Sequence, residues 1–109
     1  MNVENLKSQM RKGMLDFCVL LILSRRSAYA SELIEALKNA QMIVVEGTLY
    51  PLLTRLKNDG LLSYQWQESP AGPPRKYYNI TDLGRDYLYQ LSVLWHEMST
   101  TIRLLESKI

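Results

Sequence analysis

The side chains best placed to do chemistry cluster in one stretch of the chain. Thr48, Tyr50, Pro51, Thr54, Arg55 and Asn58 fall on the side of a segment opposite Leu49, Leu52, Leu53 and Leu56. Hydroxyls, a phenol and a guanidinium on one helix face are groups that hydrogen-bond base edges and phosphates. An arginine fork matches guanine or a phosphate with two parallel bonds. Lys57 in the same segment, and Arg75 and Lys76 beyond it, add cations. Covalent chemistry has little to draw on, because the chain holds a single histidine, His96, and a single cysteine, Cys18. Neither a nucleophile–histidine set nor a His/Cys zinc set can be assembled from them. His96 reads as a surface residue on a polar helix face. Cys18, inside an apolar run, reads as a small core residue. Asp82 and Asp86 read as acids at a helix N-terminus rather than a metal pair. No enzyme, metal or cofactor is implied.

The scaffold must be small. A chain of 109 residues with 47% hydrophobic and 22% charged residues is one globular unit. A net charge of +2 excludes a highly basic architectural protein and leaves sequence-specific nucleic-acid binding open. The lone cysteine excludes an internal disulfide framework. The longest apolar run, Phe17 to Leu23, is far short of the ~20 residues of a membrane span. The N-terminus lacks signal-peptide order. The expectation is a soluble, cytoplasmic protein with no membrane partner.

Four helices and a hairpin would position these groups. Leu6, Met10, Met14, Phe17 and Leu21 recur at steps of three and four, predicting one helix over 5–26 that is apolar all round in its second half. A second helix follows Tyr29-Ala30, with Leu33, Leu37 and Ala40 on one face. A short connection, Gln41 to Val45, leads to the third, about Glu46 to Asp59. Pro51 must lie near its start, and Gly60 must close it in a left-handed conformation. Leu62, Tyr64 and Trp66 alternate with polar residues as a half-buried strand, and Arg75 to Ile80 gives another, with Ser69–Pro74 read as the loop between them. Trp66 is expected to pack in the core or the hairpin. Thr81-Asp82 opens the last helix. There Leu88, Trp95, Ile102 and Ile109 lie seven apart, with Leu91, Met98 and Leu105 as a second series.

Helix, helix, short turn, helix, hairpin is the order of a winged helix-turn-helix. The fold class is therefore mainly α with a small β-hairpin, carrying a long C-terminal dimerisation helix. Residues 1–80 make the DNA-binding domain, with the 5–26 helix also packing in the dimer, and 81–109 make the dimerisation helix. Residues 43–80 carry only one net positive charge, so affinity for double-stranded DNA has to come from doubling the module. A two-fold homodimer closed through Leu21, Leu88, Leu91, Trp95, Met98, Ile102 and Leu105 would set two recognition helices about one DNA turn (~34 Å) apart, on a pseudo-palindromic operator. Alternatively, the last helix folds back onto the first helix of its own chain. The hairpin and heptad helix would also suit a module that holds a protein partner.

The run Glu46-Gly47-Thr48-Leu49-Tyr50-Pro51-Leu52-Leu53-Thr54-Arg55-Leu56-Lys57-Asn58-Asp59-Gly60-Leu61 resembles the recognition-helix signature of PadR-like regulators. Gly72-Pro73-Pro74-Arg75-Lys76-Tyr77-Tyr78-Asn79-Ile80-Thr81-Asp82-Leu83-Gly84 is similar to that family's wing and the start of its last helix, and Tyr29–Ile34 extends the match. The resemblance implies a bacterial transcriptional regulator, usually a repressor, of the short, multidrug-responsive branch. It places Thr48, Tyr50 and Arg55 on the DNA-facing helix and Arg75 and Lys76 on the wing. Thr54 stands where many members carry a basic residue. Ser31 and Lys57 complete the candidate DNA contacts. In that branch, tryptophans of the final helix stack on aromatic ligands at the dimer centre. The ligand site implied here is Trp95 and its symmetry mate around a planar aromatic or cationic molecule, walled by Met10, Met14, Phe17 and Met98. A ligand-insensitive repressor is the alternative.

Overall fold

A computed structural model describes residues 2–107 of the protein. Ile109, the last position of the heptad series, lies outside them. The helices are α1 (Val3–Arg11), α2 (Leu15–Arg25), α3 (Ala30–Asn39), α4 (Glu46–Asn58) and α5 (Asp82–Glu106). The strands are β1 (Ala28–Tyr29), β2 (Leu62–Ser69) and β3 (Gly72–Ile80), in an antiparallel sheet of order β1-β3-β2. The fold is the expected winged helix-turn-helix, mainly α, with a long final helix.

The single helix expected over 5–26 is instead two. The chain breaks at Lys12–Met14, around the poor helix former Gly13. Asn2 caps α1 by accepting from the backbone N–H groups of Glu4 and Asn5. No residue of α1 is buried, whereas α2 buries Leu15, Phe17, Val19, Leu20 and Leu23. The apolar stripe is continuous in sequence, but only its α2 half has a core to face.

One core joins α2, Leu33 and Leu37 of α3, Leu49, Leu52, Leu53 and Leu56 of α4, and Ala28, Leu62 and Tyr78 of the sheet. Cys18 packs half-buried against it, and burial raises its thiol pKa, as suits a core residue. The helix-turn-helix turn is closed by backbone hydrogen bonds. Gln41 takes a left-handed φ of 68°, its N–H donates to Lys38 O at 2.9 Å, and Met42 N–H donates to Leu37 O at 2.8 Å. Gly60, φ 79°, ends α4 in the same way, with Gly60 N–H on Lys57 O and Leu61 N–H on Leu56 O, each at 3.0 Å.

The hairpin differs from expectation at its tip. Ser69 pairs with Gly72, so the turn is only Pro70-Ala71, and Pro73 and Pro74 lie within β3 rather than in a loop. They are tolerated because the register shifts there. Between the pairs Gln67–Arg75 and Ser69–Gly72, β3 has two residues where β2 has one, a bulge that needs no donor from either proline. The two-residue β1 was not expected. It pairs Ala28 with Tyr78 and Tyr29 with Tyr77, extending the hairpin to a three-stranded sheet.

Thr81 caps α5, accepting from Gly84 N–H at 3.0 Å and donating to Gly60 O at 2.7 Å. Gly84 is buried because α5 crosses the end of α4 there; a Cβ would sit 2.2 Å from Leu61 O. Leu88 and Leu91 pack half-buried against the core, so the first half of α5 does fold onto α2 of its own chain. The second half leaves it, and Val93, Leu94, Trp95, Met98, Ile102, Leu104 and Leu105 are all exposed.

Candidate nucleic-acid interface

The leucine row of α4 decides what the helix shows to the outside. With Leu49, Leu52, Leu53 and Leu56 buried, the row directly opposite is Gly47, Pro51, Thr54 and Asn58, at steps of four, three and four. These side chains are exposed, short and uncharged. Such a surface lets the helix backbone come close to base edges in a groove ~12 Å wide. Pro51 sits where its absent N–H would have donated to Gly47, near enough to the start that α4 continues unbroken.

The two edges of that row differ. On the wing side lie Tyr50, 48% exposed, and Lys57, whose ammonium is 5.8 Å from the Tyr64 ring centre. On the α2 side lie Thr48 and Arg55. Arg55 is engaged: Nη1 donates to Asp16 Oδ2 at 3.0 Å and Nη2 to Asp16 Oδ1 at 2.9 Å. These hydrogen bonds and the opposite charge raise the guanidinium pKa further above its ordinary value. Asp16, in the first turn of α2, was not among the candidate residues. Nothing in the sequence pairs it with a residue 39 positions away.

The sheet carries the wing cations on opposite faces. Lys76 lies 4.5 Å from the Tyr64 ring and 5.4 Å from Trp66, on the face that continues into the core. Trp66 is 63% exposed and meets Tyr64 edge-on, so it packs within the hairpin and not in the core. On the other face Arg75 stacks 4.0 Å from the Tyr29 ring, which in turn contacts Tyr77 and donates its hydroxyl hydrogen to Gln67 Oε1 at 2.9 Å. Ring and cation together hold the wing's positive groups in place. Ser31 is exposed in the first turn of α3, beside Glu32, whose carboxylate accepts from Tyr29 N–H at 3.0 Å.

A cleft of ≈ 690 Å³ runs between α1, the start of α2, the 41–45 turn and α4, lined by Arg11, Lys12, Leu15, Val45, Thr48 and Arg55 among others. Arg11 and Lys12 thereby flank the recognition helix although they are far from it in sequence. The candidate ligand residues are not gathered within one chain. Met10 is exposed on α1, Met14 half-buried at the break, Phe17 buried on α2, and Trp95 and Met98 exposed on α5. Of the candidate dimer residues, Leu21, Trp95, Met98, Ile102 and Leu105 are exposed, whereas Leu88 and Leu91 already lean on their own core.

A helix-turn-helix whose second helix is leucine-anchored and outward-facing, followed by a wing with two cations, is the architecture of a DNA-binding transcriptional regulator. The comparisons make this specific. Residues 19–90 match the model of the transcriptional regulator PadR-like family. The chain is 58% identical to a PadR-like transcription factor from Bacteroides fragilis, with a TM-score of 0.80 over 93% of this chain and 98% of that one. It is 40% identical to a PadR-like transcriptional regulator from Bacillus cereus (TM-score 0.77, covering 89% and 95%). To a PadR family transcriptional regulator from Eggerthella lenta it is 35% identical (TM-score 0.79, covering 92% and 84%). The protein belongs to the PadR-like family of transcriptional regulators, which bind DNA and are not enzymes. No helix among the described residues is long and apolar enough to cross a membrane.

Proposed function

We propose that this regulator is a ligand-responsive repressor that grips a pseudo-palindromic operator as a homodimer. Residues 1–80 act as the DNA-binding unit and 81–109 as the dimerisation segment, through α5. The observation that carries the reading is the far half of α5, where Trp95, Met98, Ile102 and Leu105 are each at least 43% exposed along one 25-residue helix. An apolar stripe of that length on a small chain calls for a cover, and a second copy supplies the same surface. Doubling also remedies the weak charge of a single reading head. In each subunit Thr48, Tyr50, Thr54 and Arg55 face the major groove, with Ser31, Lys57, Arg75 and Lys76 on the flanking backbone. A planar aromatic or cationic molecule enters between the subunits against the paired Trp95 rings, with Met10, Met14, Phe17 and Met98 as its walls. It acts only insofar as it favours one spacing of the two reading heads over the other.

The test is a mobility-shift titration on the duplex upstream of the protein's own coding sequence, run across a salt series, with sedimentation of the free protein alongside. The expected result is a dimer at micromolar concentration whose operator affinity falls steeply with salt. A monomer, or binding indifferent to salt, defeats the reading. Quenching of tryptophan fluorescence by a cationic planar dye, lost in Trp95→Ala, tests the ligand site. An unchanged quench in that variant would assign the dye to Trp66 instead.

A further inference from the structure

Arg55 is the one arginine on the recognition helix, and in the free protein it is already held. Both its terminal nitrogens donate to the two oxygens of Asp16, at 3.0 and 2.9 Å, a fork-to-fork arrangement that fixes the guanidinium plane. Asp16 belongs to α2, not to the reading helix, and lies three residues after Gly13. We propose that Asp16 is a positioning residue for DNA reading: it aims Arg55 from behind and cancels its charge, so that Arg55 contributes direction and not bulk attraction. The inference rests on the DNA-binding reading given above.

Three observations lead there. First, a guanidinium carries five donors, and Asp16 engages two, leaving three for the duplex on a side chain that is 53% exposed. Second, the Asp16 side chain is only 23% exposed. If Arg55 left it for DNA, a part-buried carboxylate would stand unpaired beside phosphates, so the pair persists on the duplex. Third, the outward row Gly47, Pro51, Thr54 and Asn58 is uncharged and is bordered by Lys57 on one edge and Arg55 on the other, and of these two cations only Arg55 is held by a bidentate ion pair. A freely rotating arginine there would bind any phosphate. One locked in plane discriminates between registers and bases.

The proposal separates affinity from specificity. In Asp16→Asn the side chain keeps its size and loses its charge, so Arg55 is released with a full positive charge. Affinity for a mixed-sequence duplex should rise, and the slope of log affinity against log salt should steepen by about 0.9 per subunit. The ratio of operator to mixed-sequence affinity should fall about tenfold, the scale of one lost bidentate discrimination. Arg55→Lys keeps the charge but has no planar fork, so the ratio should fall with no steepening beyond that of the wild type. Melting of each variant shows that the fold is intact. If Asp16→Asn leaves ratio and slope unmoved, or lowers both affinities in parallel together with the melting temperature, Asp16 is only a brace and the proposal is overturned. Failure of the wild type on every duplex overturns the DNA reading itself, and this inference with it.

Discussion

The winged domain and the far half of α5 are built from similar residues to opposite ends. In the domain, Leu20, Leu33, Leu49, Leu53 and Leu56 are at most 1% exposed, each enclosed by α2, α3, α4 or the sheet. In α5 beyond Val93, Trp95, Met98, Ile102 and Leu105 are between 43% and 62% exposed. Apolar periodicity alone therefore makes a helix with an apolar side, and the neighbours decide whether that side is core or interface. In the domain the leucines were met by their own chain. In α5 the chain runs straight on past the last element that could meet them.

Truncating one residue in each region should draw the sharpest contrast. Leu53→Ala opens a cavity in a fully buried site and should cost about 2–5 kcal/mol, lowering the melting temperature at any protein concentration. Leu105→Ala should leave an isolated chain nearly untouched and, if α5 closes the proposed dimer, show itself only as protein concentration falls through the range where that dimer dissociates. Equal, concentration-independent losses in the two variants would erase the distinction between core and interface.

Gly84 marks the border between the regions. A Cβ there would lie 2.2 Å from Leu61 O and 2.8 Å from Ile80 Cγ1, and backbone cannot yield as a flexible side chain can. Gly84→Ala should cost about 1–3 kcal/mol through overpacking, and should tilt α5 away from α4. Because α5 carries the proposed dimer seam, the variant should lose operator affinity beyond what its melting temperature explains. Retained operator affinity would show that the angle of α5 at this crossing does not set the spacing of the reading heads. Trp95→Ala should be milder for folding. At the proposed seam it should weaken dimerisation by about 10–100-fold, read by sedimentation, as the loss of an aromatic anchor.

What was legible in the sequence divides along physical lines. The leucine row of α4, the cap at Thr81 and the left-handed Gly60 were readable because each is a local rule, of periodicity or of one residue's backbone freedom. The wing was readable as two strands. Its tip was not, because two prolines in a row signal a loop unless a bulge removes the need for their donors. The break at Gly13 was hidden by an apolar stripe that runs through it, and β1 by its length of two residues. For the candidate site, the outward polar face of α4 was visible but the state of Arg55 was not. Its partner Asp16 lay inside the single helix expected over 5–26 with nothing to single it out, and the bond joining them spans 39 residues. Arg11 and Lys12 entered the neighbourhood of α4 for the same reason, through tertiary folding alone.

The smallest expected effect compares two helix ends closed by the same hydrogen bonds. α4 ends at Gly60, φ 79°, and α3 ends at Gln41, φ 68°. Glycine adopts that conformation freely, whereas a residue with a Cβ pays about 1 kcal/mol or more to remain there. The two sites should then respond to exchange with opposite signs. Gly60→Ala should destabilise by about 1 kcal/mol, with little contribution from crowding, since the added Cβ would meet only Leu83 Cδ2, at 3.5 Å. Gln41→Gly relieves the strain but loosens the unfolded chain by about 0.4–1 kcal/mol, so the net gain should be a few tenths of a kcal/mol. Denaturant midpoints at constant slope resolve changes of this size when the variants are measured together. Loss of stability in Gln41→Gly would mean that the glutamine side chain, exposed in the turn that leads into α4, holds that turn by an interaction stronger than the strain it bears.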